Sequence, residues 1–185
     1  DISCYAADDG EMHISAEGGT GILTYTWSDG GTGPDRIDMP AGNYFVTVSD
    51  EHDCVETEMF QLTQPDQLQA TISPDMAICE GQTISINSQQ LGGTPPYTYY
   101  WDSGNGFVVD NNIISVTPDT TTTYTVYVED AHGCESSPVS MTITVSPTMS
   151  VDLETQDNRC YSSCDGWAEL YLQGGIEPFN YSWGS

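Results

Sequence analysis

The cysteines are the residues of this 185-residue chain whose chemistry is most evident. None of them belongs to a CxxC motif. An even number of cysteines in a chain rich in turns and strand-forming residues is typical of disulfide bonds made in an oxidising compartment. We therefore expect all six to form disulfides: Cys4, Cys54, Cys79, Cys134, Cys160 and Cys164.

Acidic residues are the second group of residues whose chemistry could serve a function. The chain has 28 Asp plus Glu against 2 Lys plus Arg, a formal net charge of −26. This charge excludes nucleic acid as a partner and disfavours anionic lipid, whereas it attracts divalent cations. Calcium, which prefers oxygen ligands, is the cofactor that such residues could bind. The alternative is a solvated acidic surface that serves solubility. The candidate calcium ligands are Asp8, Asp9, Asp50, Asp53 and Asp130.

Residues for catalysis are poorly supported by the sequence. His52 and His132 each precede a cysteine by two residues, but an oxidised cysteine is not a zinc ligand. His13 lies in a predicted strand, and no serine stands in a GxSxG motif. The sequence therefore predicts that the protein is not an enzyme.

A threefold internal repeat positions these residues. Each copy has a cysteine, then a Gly-Gly pair, then a tryptophan nine residues after the first glycine. The first two copies also share a strand that ends in aspartate, followed four residues later by a second cysteine. We divide the chain into a first repeat (residues 1–66), a second repeat (67–148) and the truncated start of a third (149–185).

The hydrophobic pattern predicts strands throughout. Apolar residues alternate with polar ones in several runs, turn residues separate the runs, and no stretch has a helical period. No apolar run is long enough to span a membrane, so direct membrane insertion is not expected. The predicted fold is all-β, with tandem small immunoglobulin-like antiparallel β-sandwich domains stapled by disulfides.

The repeat also suggests a disulfide pairing. Joining the two cysteines of each copy links Cys4 to Cys54 and Cys79 to Cys134, and would bring Asp8 and Asp9 near Asp50. In the third copy two possibilities remain open: Cys160 pairs with Cys164, or one of them pairs with a cysteine further along.

The recurrent tryptophans allow two interpretations. Trp27, Trp101 and Trp183 stand at the same place in each copy, which favours a role in the core. The alternative is stacking on sugar rings. Burial of Trp27 and Trp101 discriminates between them.

These motifs resemble a known family. The order of motifs is similar to that of the SprB-type repeats of Bacteroidetes gliding-motility and cell-surface adhesins. The motifs are cysteine, Asp-Gly, Gly-Gly-Thr, Tyr-x-Tyr-x-Trp, Ala-Gly-x-Tyr-x-Val-x-Val-x-Asp, cysteine and Gln-Pro. The first repeat departs from the pattern at 20–23 and at Asp53. In the second repeat, the run 116–124 is similar to PKD-like, immunoglobulin-like domains. The resemblance implies type IX secretion and an extracellular location on the bacterial cell surface.

The sequence and the resemblance are consistent with two main functions. The first is a structural stalk of a large adhesin or filament, with the neighbouring repeats of the same chain as partners. The second is a glycan-binding module for surface polysaccharide, using exposed aromatics and carboxylates. A third possibility is that a strand from another adhesin chain completes the third repeat.

Overall fold

The computed structural model describes residues 1–157, 165–175 and 177–183. These residues form fifteen β-strands in five sheets and contain no helix. The all-β, immunoglobulin-like prediction is therefore confirmed. Within the described ranges no helix is long and apolar enough to cross a membrane.

The first repeat has two small sheets that face each other across one core. The core residues come from both sheets and from the first residues of the chain: Ile2, Met12, Trp27, Met39, Tyr44, Val46 and Leu62. One sheet pairs β1 (Gly10–His13) with β3 (Asp35–Met39). The other has the order β2 (Thr24–Trp27), β4 (Gly42–Ser49), β5 (Val55–Leu62).

The second repeat is a larger sandwich of five strands against three. The five-stranded sheet has the order β10 (Val108–Asp110), β9 (Thr98–Asp102), β12 (Thr122–Glu129), β13 (Val139–Ser146), β7 (Met76–Cys79). The other sheet has the order β11 (Ile113–Val116), β8 (Ile84–Leu91), β6 (Gln69–Ile72). In β12, alternate residues Tyr124, Val126 and Val128 are buried, as a strand with one core face requires.

The first strand of the second repeat runs parallel to the last. β7 pairs with β13 in a register that places Cys79 beside Ser146. The first residues of the first repeat lie in the same way, because the Ile2 amide donates to the Thr63 carbonyl at 3.1 Å, just beyond the end of β5. In both repeats the first cysteine thus lies where the last strand ends.

The third repeat is described as an antiparallel hairpin. β14 (Ser150–Gln156) pairs with β15 (Trp167–Gln173) along their whole length. Cys160 and Cys164 lie outside the described residues, so both of their predicted pairings remain predictions.

The tryptophans of the first two repeats are core residues. Trp27 is 2% exposed and Trp101 is 3% exposed. Each indole N–H donates a hydrogen bond of 2.9 Å to a backbone carbonyl, Gly33 for Trp27 and Asn111 for Trp101. The polar atom of each ring is thereby satisfied without solvent. This burial favours the structural interpretation of both residues, while Trp183 is exposed.

Candidate functional site at the junction of the first two repeats

The second cysteine of the second repeat lies on a turn organised by one aspartate. Asp130 follows β12, and its Oδ1 accepts hydrogen bonds from the amides of His132 at 2.9 Å and Cys134 at 3.0 Å. Its Oδ2 accepts a third from the Thr94 amide at 2.9 Å. Burial raises the pKa of Asp130, but these three backbone bonds outweigh it and lower the pKa below its usual value. An aspartate whose carboxylate accepts hydrogen bonds from the backbone amides of the residues that follow it is common in turns. Here this arrangement fixes the position of Cys134.

The first repeat contains the same turn. Asp50 Oδ1 accepts hydrogen bonds from the amides of His52 and Cys54, each at 2.9 Å, and Oδ2 accepts one from Thr20 at 3.0 Å. Backbone bonds from Cys54, Thr20 and His52 lower the pKa of Asp50 to about 2. Cys54 and Cys134 therefore occupy equivalent places on equivalent turns.

The first cysteine lies in a loop that is tied to the end of its own repeat. Two residues before Cys4, Ile2 is bonded to Thr63. Two residues after it, the Ala6 amide donates to the Gln64 Oε1 at 2.9 Å. Cys4 is therefore fixed beside 63–65, at the end of the first repeat that adjoins the second.

A disulfide joins these two sites across the junction. Cys4 and Cys134 are bonded, with their Cα atoms 5.8 Å apart and a sequence separation of 130. This separation of Cα atoms is ordinary for a disulfide. The predicted pairings of Cys4 with Cys54 and of Cys79 with Cys134 are wrong. Cys54 and Cys79 are exposed and not bonded to another described cysteine.

Strand direction explains this correction. β5 begins directly after Cys54 and ends one residue before Thr63, beside which Cys4 lies. Eight strand residues span roughly 25 Å, whereas the Cα atoms of a disulfide lie within about 7 Å. The two cysteines of one repeat thus lie at its opposite ends. The sequence identified equivalent cysteines but did not show at which end each one lies.

The backbone at the junction is also closely packed. The Gly93 amide donates to the Asp66 carbonyl at 2.9 Å. Gly92 has φ of +71°, and a Cβ at this position would collide with the Gln67 carbonyl. Next to it Leu68 is buried. The Gly-Gly pair therefore packs directly against Asp66 and Gln67, which form the joint between the repeats. This close approach requires glycine.

The five candidate calcium ligands do not gather in one place. At the Cys4 end of the first repeat, the Asp9 carboxylate accepts hydrogen bonds from the hydroxyl and the amide of Ser3. These bonds lower the pKa of Asp9. Asp50 and Asp53 lie on the turn at the other end, so the expected approach of Asp8 and Asp9 to Asp50 does not occur. No group of three or more His, Cys, Asp or Glu in the described part of the chain is arranged to hold a metal. Calcium binding stays a prediction.

An aromatic cluster on the second repeat was missed by the sequence reasoning. The rings of Tyr100 and Tyr127 stack with centroids 4.7 Å apart, and Phe107 packs edge-on against Tyr127 at 4.9 Å. A hydrogen bond to Glu129 is the main cause of the raised pKa of Tyr100. The signal was present in the alternation, since Tyr100 and Tyr127 are outward-facing positions directly opposite each other in β9 and β12.

The sheets and the bridge define a disulfide-stapled series of immunoglobulin-like sandwiches. Within it, residues 1–32 match the family model described as SprB repeat, which confirms the resemblance seen in the first repeat. No protein with a curated description matches the chain.

Several solved structures are similar to the chain. An amphioxus IgVJ-C2 molecule is 15% identical over 77% of this chain and 99% of that one, with a TM-score of 0.42. The Clostridium thermocellum CbhA fibronectin(III)-like modules are 9% identical over 77% and 87%, with a TM-score of 0.39. The N-terminal four Ig domains of Dscam1 isoform 8.4 are 16% identical over 75% and 41%, with a TM-score of 0.39. The chain thus spans less than half of that Dscam1 fragment.

Proposed function

We propose that this chain is a structural repeat region in the extracellular stalk of a large bacterial surface adhesin or filament, where it holds distal binding regions away from the cell. The observation that carries the proposal is the Cys4–Cys134 disulfide, because it joins two successive repeats instead of closing one. The SprB match at 1–32 supports the adhesin context. A disulfide also fits an oxidising compartment outside the cytoplasm.

The bridge gives the pair of repeats a mechanical property. A force applied to the two ends of the chain passes from Cys4 through the sulfur atoms to Cys134. Residues between them carry no tension along the backbone and cannot be extended while the bond is intact. A region built in this way keeps its length under load, which is what a stalk requires.

The acidic surface fits the same role. With a formal charge of −26, neighbouring repeats repel each other as well as other anionic polymers. This repulsion keeps a long chain soluble and favours its extended form. The disulfide and the packed joint oppose separation of the repeats. Type IX secretion and a part in gliding follow from the family resemblance, and absence of enzymatic activity remains our prediction.

Single-molecule stretching of the full chain from its two ends tests this proposal. The oxidised chain should release about 45 nm less length than a Cys4→Ser/Cys134→Ser double variant, because 130 residues at roughly 3.5 Å each are bypassed. Circular dichroism of the double variant checks that its sheets still form. If the oxidised chain releases the same length as the double variant at the same force, the stalk mechanism is overturned.

The aromatic cluster supports one second candidate, a glycan-binding module. Stacked tyrosines beside a carboxylate are suited to a sugar ring and its hydroxyls. Titration with a panel of bacterial surface polysaccharides would detect it. Binding that disappears in Tyr127→Ala and persists in Tyr25→Ala would favour this candidate, and absence of binding would remove it.

A further inference from the structure

Cys54 is exposed and lies on a turn equivalent to that of Cys134, the cysteine that forms the disulfide between the two repeats. The amide of Cys54 bonds to Asp50 as that of Cys134 bonds to Asp130, at 2.9 and 3.0 Å. The amide of each aspartate in turn donates to the carbonyl of its cysteine, at 3.1 and 3.0 Å. Cys134 is bonded to the repeat before its own, while Cys54 has no partner among the described residues.

The exposed thiol of Cys79 lies at the same end of its repeat as Cys4. Cys79 follows the buried Ile78 by one residue, and Cys4 follows the buried Ile2 by two. Both cysteines adjoin the end of the last strand of their repeat, Cys79 through its pairing with Ser146.

The joint beyond the second repeat is built like the joint before it. Gly175 donates its amide to the Pro147 carbonyl at 3.2 Å, as Gly93 does to Asp66. A Cβ at Gly174 would collide with the Thr148 carbonyl, as one at Gly92 would with Gln67. The Gly-Gly turn of the third repeat therefore contacts the joint before it as the Gly-Gly turn of the second repeat does.

We propose that Cys54 and Cys79 each form a disulfide with a neighbouring repeat, of the same kind as the Cys4–Cys134 disulfide. Cys79 bonds to the second cysteine of a following repeat, which is equivalent to Cys134. Cys54 bonds to the first cysteine of a preceding repeat, which is equivalent to Cys4. The proposal rests on the proposed function, since it requires repeats in series. Its partner is a neighbouring repeat of the same polypeptide, identified by the packed joint that fixes the two cysteines near each other.

Each bond forms by oxidation of two thiols. The two cysteines lose two protons and two electrons to a protein disulfide oxidant of the secretory compartment, whose own disulfide becomes two thiols. Oxidised glutathione takes this part in a test tube and yields two reduced glutathione molecules.

The consequence is a series of overlapping covalent loops. The loop from Cys4 to Cys134 encloses Cys79, so a bond from Cys79 to the following repeat begins inside it. Each joint is then crossed by the backbone and by one disulfide. Unfolding of a single repeat would not lengthen the stalk, because a bridge spans it.

Insertion of one repeat into the full chain tests the proposal. A second copy of residues 67–147 is placed between Pro147 and Thr148, and this copy carries Cys79→Ser so that one Cys79 remains. The protein is refolded with a glutathione redox buffer and then alkylated. It is digested at aspartates, since the chain has only 2 Lys plus Arg. The Cys134 peptides of the two copies differ in mass because the residues after Pro147 differ.

The expected result is a cross-linked pair that contains Cys79 and the inserted copy's Cys134, together with the original Cys4–Cys134 pair. A matched variant with Cys134→Ser in the inserted copy should leave Cys79 alkylated, and protease resistance should show that the inserted repeat is folded in both proteins. An alkylated Cys79 in the first protein, with Cys4–Cys134 intact and the inserted repeat folded, would overturn this inference and leave the stalk proposal standing.

Discussion

At the residue scale, one aspartate at the end of a strand decides where the second cysteine lies in each of the first two repeats. Asp50 and Asp130 each accept three backbone hydrogen bonds, one of which comes from the cysteine four residues later. Hydrogen bonds to a charged acceptor are stronger than those between neutral groups. The carboxylate therefore keeps the turn in one conformation and holds the thiol in the place where a bridge forms.

Replacement of Asp50 by asparagine should change the acid sensitivity of the first repeat. The folded pKa of Asp50 is about 2, below its ordinary 3.8, so its stabilisation is present above about pH 4 and is lost as the pH falls towards 2. Asp50→Asn should lower the melting temperature at pH 7 and flatten its fall between pH 4 and 2. Asp53→Asn, with the same charge change in the same turn, is the control. Identical pH profiles for both variants would contradict this role.

The buried tryptophans give a second prediction at this scale. Trp101→Ala should reduce the free energy of unfolding of the second repeat by about 3–5 kcal/mol, because it leaves a cavity and an unpaired Asn111 carbonyl. Trp167→Ala, at a half-exposed residue on β15, should cost at most about 1 kcal/mol. Urea unfolding followed by circular dichroism measures both. Similar losses for the two variants would show that Trp101 is not a core residue.

At the element scale, the Gly-Gly turn and the joint act together. The turn before β9 reaches back to the joint residues, where Gly93 bonds to Asp66 and Gly92 leaves room for the Gln67 carbonyl. The same arrangement recurs with Gly174 and Thr148. A motif that the sequence marks only as a turn therefore sets the relation of one repeat to the next.

Gly92→Ala should be markedly more destabilising than Gly104→Ala. Both glycines have positive φ, +71° and +102°, so alanine costs about 1–2 kcal/mol at either position. Gly104 has open space around it, whereas a Cβ at Gly92 meets the Gln67 backbone. We expect at least twice the loss of unfolding free energy for Gly92→Ala in urea titrations. Equal losses would mean that the glycine serves the turn alone.

The sequence was sufficient for some of these features and insufficient for others. Period-two alternation and the recurring landmarks predicted the strands and the buried Trp27 and Trp101, because these depend on local pattern. The disulfide could not be predicted from the same repeat, since it depends on strand direction: Cys4 and Cys54 belong to one repeat but lie at opposite ends of β5. The outward stack of Tyr100 and Tyr127 depends on strand register, which the pattern alone does not give.

At the scale of the whole molecule, the repeats form a series in which covalent bonds cross the joints. The Cys4–Cys134 bridge encloses most of two repeats in one loop. Small sandwiches of this size gain stability from such a constraint, and the gain grows slowly with loop length. The same bridge holds together two acidic modules that would otherwise repel each other.

Peptide mapping of the unreduced chain tests this account most directly. The chain is made in an oxidising compartment, its free thiols are alkylated, and it is digested at aspartates and analysed by mass spectrometry without reduction. The structure predicts a peptide that contains Cys4 linked to one that contains Cys134, with Cys54 and Cys79 alkylated when no neighbouring repeat is in reach. A link of Cys4 to Cys54, or of Cys79 to Cys134, would contradict this prediction. It would show that the disulfide forms within a single repeat.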